Sequence, residues 1–457
     1  MQNQLRELRA LLTKNAADGN ARTVPPWPWL RTLGWSLALL ISLLLFGPNM
    51  IAAFRPPSGT GADFLQEWLS ARDYWNGGPV YSPLAEALFR QTGQPAPPGF
   101  LPWNAHPPVA VLLTLPFGWL GYADAHLLWN VMTVPLFLLA IAVVVSELNF
   151  PFRWLSLIPT LCLLVACYPL YDQIVQGQWN CVLAGLLIVT WWAARRGLPA
   201  LAGWALGTAA AIKLFPGFLF VIFLLRGEFR AVLIGVLVAV AWNLLAMLVL
   251  GGDAFSTYIT QVIPALEVYR GFWQNLALEG WIRRVFGLDS TGRSLPIWQA
   301  PSVVAAGLLL GLRLLITAVV IHAAWQSRRT GDIDKAFAVS ILGLLLISPI
   351  TWSHYLLLAL QPLAVLWMRL PFGWPRWLYR IVLIVFWLPT YYWPSLVVGP
   401  EQTRAMLSNF HEPFRPAIHL TLVSIPFYAL MVALILANAV GDCEHGSAAR
   451  SAEQFES

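Results

Sequence analysis

Three acidic side chains, Asp63, Glu67 and Asp73, lie close together in the first long polar segment of the chain, residues 54–108. Phe64, Trp68, Tyr74 and Trp75 are interleaved with them, and almost everything after this segment is apolar. A carboxylate held among aromatic rings at the rim of a membrane span is shielded from bulk water, a setting suited to a general base. Asp63 is the foremost candidate. It also stands immediately before an amphipathic run, where aspartate is a preferred helix N-cap and its charge favours the helix dipole. The sequence leaves both roles open.

Four further stretches could do chemistry. In Tyr171-Asp172-Gln173-Ile174-Val175-Gln176-Gly177-Gln178-Trp179-Asn180, carboxamides beside a glycine could read sugar hydroxyls or simply cap two helices. Lys213 is the one lysine between positions 15 and 334, in the stretch Ala211-Ile212-Lys213-Leu214-Phe215-Pro216. An ionisable group inside a membrane or at its rim is costly, so it calls for an anion, a lipid phosphate above all, or for snorkelling to the interface. His354, in Ser348-Pro349-Ile350-Thr351-Trp352-Ser353-His354-Tyr355, could donate to a phosphate or bond a backbone carbonyl. In residues 251–300, Gln274, Asn275 and the arginines Arg270, Arg283 and Arg284 could contact sugar or phosphate. Most charges there read as a solvated face.

These residues need a scaffold, and the composition says which kind. Of 457 residues, 58% are hydrophobic and 11% charged, against about 25% charged in soluble domains. Mean hydropathy is +0.64. The chain is therefore an all-α polytopic membrane protein. Apolar runs at 33–54, 123–146, 154–170, 180–194, 198–212, 214–226, 229–250, 301–323, 336–350, 353–370, 376–393 and 416–440 predict about 12 transmembrane helices, within a range of 10–13. Residues 107–120 are apolar but short and proline-broken, as in a re-entrant or interfacial helix. Trp27, Trp29, Trp154, Trp374, Trp377 and Trp393 flank spans as an aromatic belt does.

Basic clusters at Arg195-Arg196, Arg226/Arg230, Arg328-Arg329/Lys335 and Arg369/Arg376/Arg380 fall on the side of the basic N-terminal segment. The positive-inside rule makes that side cytoplasmic. Residues 1–32 are then a cytoplasmic segment ahead of an uncleaved first span. Residues 33–440 form one integral-membrane domain, and 441–457 a disordered cytoplasmic tail. Segments 54–108, 171–179, 251–300 and 394–415 share the extracytoplasmic side. The expected setting is a bacterial inner membrane with the site facing outward. The net charge of +6 is spread over short loops and indicates no nucleic acid. Cys162, Cys167, Cys181 and Cys443 have no metal-ligand spacing. No metal ligands and no cofactor are indicated, although a divalent metal is compatible with the chemistry. Asp332-Ile333-Asp334 has the D-x-D form used for nucleotide-sugar metals, but it lies in a basic loop on the opposite side and reads as a helix start. Walker, Rossmann, G-x-S-x-G and H-E-x-x-H patterns are lacking.

Read in order, the pieces resemble glycosyltransferase family 87. They are an aspartate in the first outside loop, Gly77-Gly78-Pro79-Val80-Tyr81, a Pro-Pro pair before an apolar run ending Pro116-Phe117, Gly177-Gln178-Trp179-Asn180, Lys213-Leu214-Phe215-Pro216 and Ser348-Pro349-Ile350-Thr351-Trp352-Ser353-His354. The resemblance covers roughly residues 60–370. It implies a GT-C-type helix bundle with extracytoplasmic loops and a polyprenyl-phosphate sugar donor. The acceptor is a glycolipid or glycan, the sugar a hexose such as mannose, and transfer is inverting. It also implies Asp63 as catalytic base and Lys213 and His354 near the donor phosphate, with His106, Gln178, Asn180, Gln274 and Asn275 as substrate-binding positions. Departures from the family pattern are His106 where tyrosine is usual, His354-Tyr355 in place of His-His, and Gln274-Asn275-Leu276 in place of Asn-Gln-Ser. They bear on donor sugar and acceptor. A transporter or flippase of lipid-linked sugars is the alternative. Against it stand the lack of an internal repeat and the gathering of the candidates on one face.

Overall fold

The computed structural model describes residues 28–55, 63–96, 102–150, 158, 161–162, 164–272, 274–286, 302–370, 378–379 and 424–440. These residues are helical or irregular, with no strand among them. They divide into two units, residues 1–48 with 152–165, and residues 49–151 with 166–457.

The first unit carries most of helix α1 (Pro28–Ala52). Its apolar stretch Thr32–Ala52 has no buried side chain, as expected of a helix that turns its apolar surface to lipid. The Cys162 thiol contacts the Trp35 carbonyl at 3.7 Å.

The second unit holds the candidate site. In chain order it contains α2 (Phe64–Trp75), α3 (Leu84–Thr92), α4 (Pro108–Thr114), α5 (Tyr122–Glu147), α6 (Tyr168–Gln176), α7 (Asn180–Arg195), α8 (Pro199–Ile212), α9 (Phe220–Arg226) and α10 (Phe229–Leu250). These are followed by α11 (Leu278–Phe286), α12 (Ser302–Thr330), α13 (Ile333–Ile347), α14 (Leu360–Arg369) and α15 (Ile425–Ala439). Short 3₁₀ turns at Leu115–Trp119, Phe215–Leu219 and Ser353–Ala359 join several of them.

Of these helices, α5 and α10, together with Val303–Thr330 of α12, are long and apolar enough to span a membrane, as is Thr32–Ala52 of α1. Helices α6 and α7 form a bent pair with a 120° turn between them. Pro108–Trp119, Pro199–Ile212, Phe215–Arg226 and Ile425–Ala439 are apolar but shorter. The count of about twelve full spans is therefore not carried by the described residues. The physical reason is visible in the breaks. Gly177 stops α6, and Lys213 is extended at the end of α8, just before the Pro216 turn. The predicted span 376–393 lies mostly outside the described residues, as do residues 154–157, 159–160 and 163 of the predicted span 154–170 and the flanking tryptophan side chains. Residues 108–119 do form the short, interrupted helix expected of them.

Helices α8 and α10 pack closely because their facing residues are small. A methyl group at Gly203 would come within 2.2 Å of the Ala231 carbonyl oxygen, and one at Gly207 within 2.2 Å of that of Gly235. Such small-residue seams let helices gain dispersion contact where lipid supplies no hydrophobic drive.

At the end of the bundle bearing the basic loops, Asp332 caps α13 by accepting from the Lys335 amide at 3.1 Å. Arg369 grips Asp332 at 2.5 and 2.8 Å and Asp334 at 3.1 Å. Asp334 also accepts from Arg195 at 2.6 Å and from the Trp191 indole at 2.9 Å. The D-x-D sequence is thus a helix start, as read, and it also joins α7, α13 and α14.

Candidate active site

Asp63 stands at the N-cap position of α2, yet its side chain makes no capping bond. Its carboxylate turns to the α6–α7 bend and accepts 2.6 Å from Gln178 Nε2. Its own amide donates to Gln176 Oε1 at 3.1 Å. Of the two roles open in the sequence, the cap is the one the geometry does not use.

The bend that receives Asp63 depends on Gly177. Its φ of +60° is a left-handed value that suits glycine, and a Cβ there would fall 2.6 Å from Phe64 Cβ. Phe64 in turn stacks on Trp129 and meets Phe117 edge-on. Behind the bend lies His126, with ring nitrogens 3.4 Å from the Phe54 carbonyl and 3.3 Å from that of Val175. Fully buried, it braces the bend beside Asn130. Neither residue stood out in the sequence, where each reads as one polar position on an apolar helix.

Gln178 is the hub. While its amide nitrogen holds Asp63, its amide oxygen accepts from Lys213 Nζ at 3.1 Å. Lys213 also donates to the Tyr355 hydroxyl at 3.2 Å and lies 4.5 Å from that ring's centroid. Tyr355 is stacked on Phe215. The lysine is thus buried among neutral partners, with Asp63 and Glu67 the carboxylates in Coulombic reach. Snorkelling, the bland alternative, is not what the side chain does.

The residue before Tyr355, His354, is buried, and its Nδ1 is 3.0 Å from Asp172 Oδ2. Ser353 donates to the same carboxylate oxygen. His354 Nε2 has no partner in the protein among the described residues. Asp63, Lys213 and His354 therefore come together through Gln178 and Tyr355, although they belong to separate stretches of chain.

The other expected substrate-binding residues divide. Gln173 donates to the Gln178 carbonyl, and its Oε1 accepts from the Asn180 amide and side chain at 3.3 and 3.2 Å. Asn180 is wholly buried in this brace. Asn275 donates to the Arg270 and Pro349 carbonyls and accepts from the Ala277 and Thr351 amides, so backbone groups use its whole side chain. Gln274 is half-buried beside it. His106 lies near the site, with its imidazole Nδ1 against Glu67 Oε1.

Within residues 251–300, Asp253 and Glu267 are exposed as expected of a solvated face, whereas Glu279, Arg283 and Arg284 turn inward. Glu279 is buried, and Arg283 and Arg313 reach it at 2.8 and 2.6 Å, with Arg270 at 3.7 Å. Arg284 is buried and donates to the Asn275 carbonyl at 2.8 Å. A carboxylate inside a membrane-embedded bundle needs such partners, and Arg313, within α12, supplies one. Nearby, burial together with the Glu67 charge pushes the Tyr258 phenol up to about 12, so it stays a neutral donor. Among the described residues, no group of three or more His, Cys, Asp or Glu side chains is arranged to hold a metal ion.

The sequence is 27% identical over 366 residues to the polyprenol-phosphate-mannose-dependent alpha-(1-2)-phosphatidylinositol mannoside mannosyltransferase of Mycobacterium tuberculosis, covering 76% of this chain and 78% of that one. It is 24% identical over 410 residues to the corresponding pentamannoside mannosyltransferase of that organism, covering 85% and 86%. An alpha-(1->3)-arabinofuranosyltransferase from the same organism is 27% identical over 307 residues, covering 63% and 65%. No solved structure matches the chain. The profile of glycosyltransferase family 87 matches residues 104–349, more than half of the sequence. With its apolar helices, the chain therefore belongs to glycosyltransferase family 87 and is a membrane glycosyltransferase.

Proposed function

We propose that the protein moves a hexose, mannose in the first instance, from a polyprenyl-phosphate donor to a lipid-linked or glycan acceptor. The reaction takes place at the extracytoplasmic face of the inner membrane, with the N-terminus in the cytoplasm and inversion at the anomeric carbon. The observation that carries this reading is the Gln178 bridge, which sets the Asp63 carboxylate and the Lys213 ammonium side by side. Inverting transfer needs that pairing of a base for the nucleophile and a cation for the leaving group.

Asp63 takes the proton of an acceptor hydroxyl as its oxygen attacks the anomeric carbon. The bond from that carbon to the phosphate oxygen breaks, and its electron pair leaves with the lipid phosphate. Lys213 turns its ammonium from its neutral amide and phenol partners to the phosphate. His354, held by Asp172 at Nδ1, lines the phosphate site with its Nε2. Tyr355 orients Lys213 through its hydroxyl and ring. The donor named for the mannosyltransferase relatives supports the polyprenyl-phosphate assignment. The basic loop clusters support the orientation.

The test uses membranes from cells lacking the protein, supplemented with purified protein and radiolabelled polyprenyl-phosphate mannose. Label should pass into a lipid or glycan fraction, and Asp63→Asn should stop it. Transfer from polyprenyl-phosphate arabinose and not from the mannose donor would replace the hexose assignment. Near-normal transfer by Asp63→Asn would remove the base assignment.

A further inference from the structure

The chain leaves α10 at Gly251 and runs on through Gly252–Thr257, the π turn Tyr258–Val262 and the turn Ile263–Ala265. Gly251 has φ +86° and ψ 159°, a backbone setting essentially confined to glycine, so the span stops there. Side chains beyond it fall into rows spaced by four residues, and residues so spaced share a helix face. The π turn keeps the rows in step, because its i→i+5 bonding rotates less per residue than an α-helix does.

One row is Ala254, Tyr258 and Val262. Ala254 and Val262 are buried, and the Tyr258 ring centroid lies 5.6 Å from that of Tyr81 in the first polar segment. This row rests on protein. The next is Phe255, Ile259 and Ile263. Phe255 is half-buried, whereas Ile259 is 59% and Ile263 49% exposed. Beyond that row the surface is polar. Asp253, Ser256, Thr260 and Gln261 are exposed, and the Thr260 hydroxyl donates to the Ser256 carbonyl at 2.7 Å.

A surface helix of a soluble protein needs two faces, one toward the core and one toward water. This segment has a third, apolar and uncovered, set between the other two. What lies against it follows from continuity. In the last turns of α10, Leu244, Met247 and Leu248 stand exposed on a helix long and apolar enough to cross a membrane. That surface belongs to lipid, and the uncovered row begins five residues after the span ends. The segment is also fixed and not trailing. Tyr258 seats it on Tyr81, and just past it Glu267 pairs with Arg283 at 2.8 Å and Arg270 approaches Glu279 at 3.7 Å.

We infer that residues 252–266 are an interfacial helix lying in the bilayer leaflet at the end of the bundle that carries the site. Phe255, Ile259 and Ile263 enter the acyl boundary, the polar rows face water, and the Tyr258 row rests on the first polar segment. The partner is the lipid surface. The Tyr81 hydroxyl in turn donates to the His106 carbonyl at 2.6 Å, so the leaflet is set in height against the segment that also bears Asp63. The inference stands apart from the donor and acceptor proposed above.

The experiment places a nitroxide on full-length protein in vesicles of phosphatidylethanolamine and phosphatidylglycerol, at Ile259→Cys, Ile263→Cys, Ser256→Cys or Thr260→Cys. Leu248→Cys serves as the lipid reference. Cys162, Cys167 and Cys181 are buried, and Cys443→Ser is made in every variant. Collision with oxygen and with a nickel chelate gives the depth of each label. Interfacial helices bury their apolar face about 5–10 Å into the headgroup–acyl boundary, which is the depth expected at positions 259 and 263. Labels at 256 and 260 should be open to nickel. Nickel access at 259 and 263 equal to that at 256 and 260 overturns the inference, because the row is then in water. Protection of 259 and 263 from both reagents overturns it in favour of a protein neighbour. Oxygen-dominated collision at all four positions overturns it in favour of full immersion. Should the labelled variants not fold, the unsubstituted protein decides. A phospholipid with a photoactivatable group at the top of its acyl chain should crosslink to Phe255, Ile259 or Ile263, and lack of any crosslink within 252–266 overturns the inference.

Discussion

Asp63 and Gln178 are 115 residues apart in the chain and 2.6 Å apart in the fold, and the same Gln178 amide reaches Lys213, 35 residues further on. One side chain thus fixes the distance between an anion and a cation that would otherwise collapse onto each other. An amide can do this because it donates at one end and accepts at the other. Gln178→Ala should let the two charges pair directly, lowering the maximal rate about ten- to hundred-fold through misplacement of the reacting groups. The melting temperature should change little. An undiminished rate would show that the bridge does not organise the site.

Asp63→Asn keeps the size of the side chain and removes its basicity. Since the carboxylate makes no capping bond, helix α2 should form as before. The expected result is a loss of about 10²–10⁴ in maximal rate with an unchanged circular dichroism spectrum. A variant that instead fails to fold would mean that the residue is structural.

Lys213→Met preserves the length and apolar stem of the side chain. If the ammonium holds the lipid phosphate, undecaprenyl phosphate should bind about ten-fold more weakly or worse, the scale of a hydrogen bond to a charged group. Equal affinity in tryptophan quenching would return Lys213 to a packing role.

His354 and Asp172 should behave as a unit. Each of His354→Gln and Asp172→Asn is expected to reduce transfer at limiting donor, and the double variant should be little worse than either single one. Strict additivity in the double-mutant cycle would separate the two residues.

Stability and chemistry should be separable at the other end of the bundle. Arg369→Ala removes the guanidinium that grips Asp332 at 2.5 Å and Asp334 at 3.1 Å, leaving Asp334 its contact with Arg195. Breaking a buried pair by removing one partner costs about 3–5 kcal/mol. Thermal unfolding in detergent should show that loss, while the protein that remains folded keeps its affinity for undecaprenyl phosphate.

Much of this site could be read from residue types. A lone lysine in apolar sequence, an aspartate among aromatics and a histidine after Ser-Pro are expensive or rare in a membrane, so each announces itself. The helix start at Asp332 was legible for a similar reason, because capping is a local interaction. Asn275, whose whole side chain is taken up by backbone groups, could not be told from a sugar-reading carboxamide, because the two look alike in sequence. Only the count of backbone partners separates them.

By itself, then, the amino-acid sequence determined the solvent this protein folds in, its helical class, its family resemblance and the short list of ionisable residues. These follow from composition, from the length of apolar runs and from order along the chain, all local or additive properties. The tertiary structure decided which of those residues meet. It turned Asp63 away from its own helix toward Gln178, and it placed Tyr355 against Lys213. It drew Arg313 to Glu279, and it raised Glu67, one acidic residue among several in sequence, to a buried partner of His106. Those pairings depend on how helices break and cross. The breaks at Gly177 and Lys213 and the seam at Gly203 and Gly207 are set by contacts across the bundle, which no stretch of sequence contains alone.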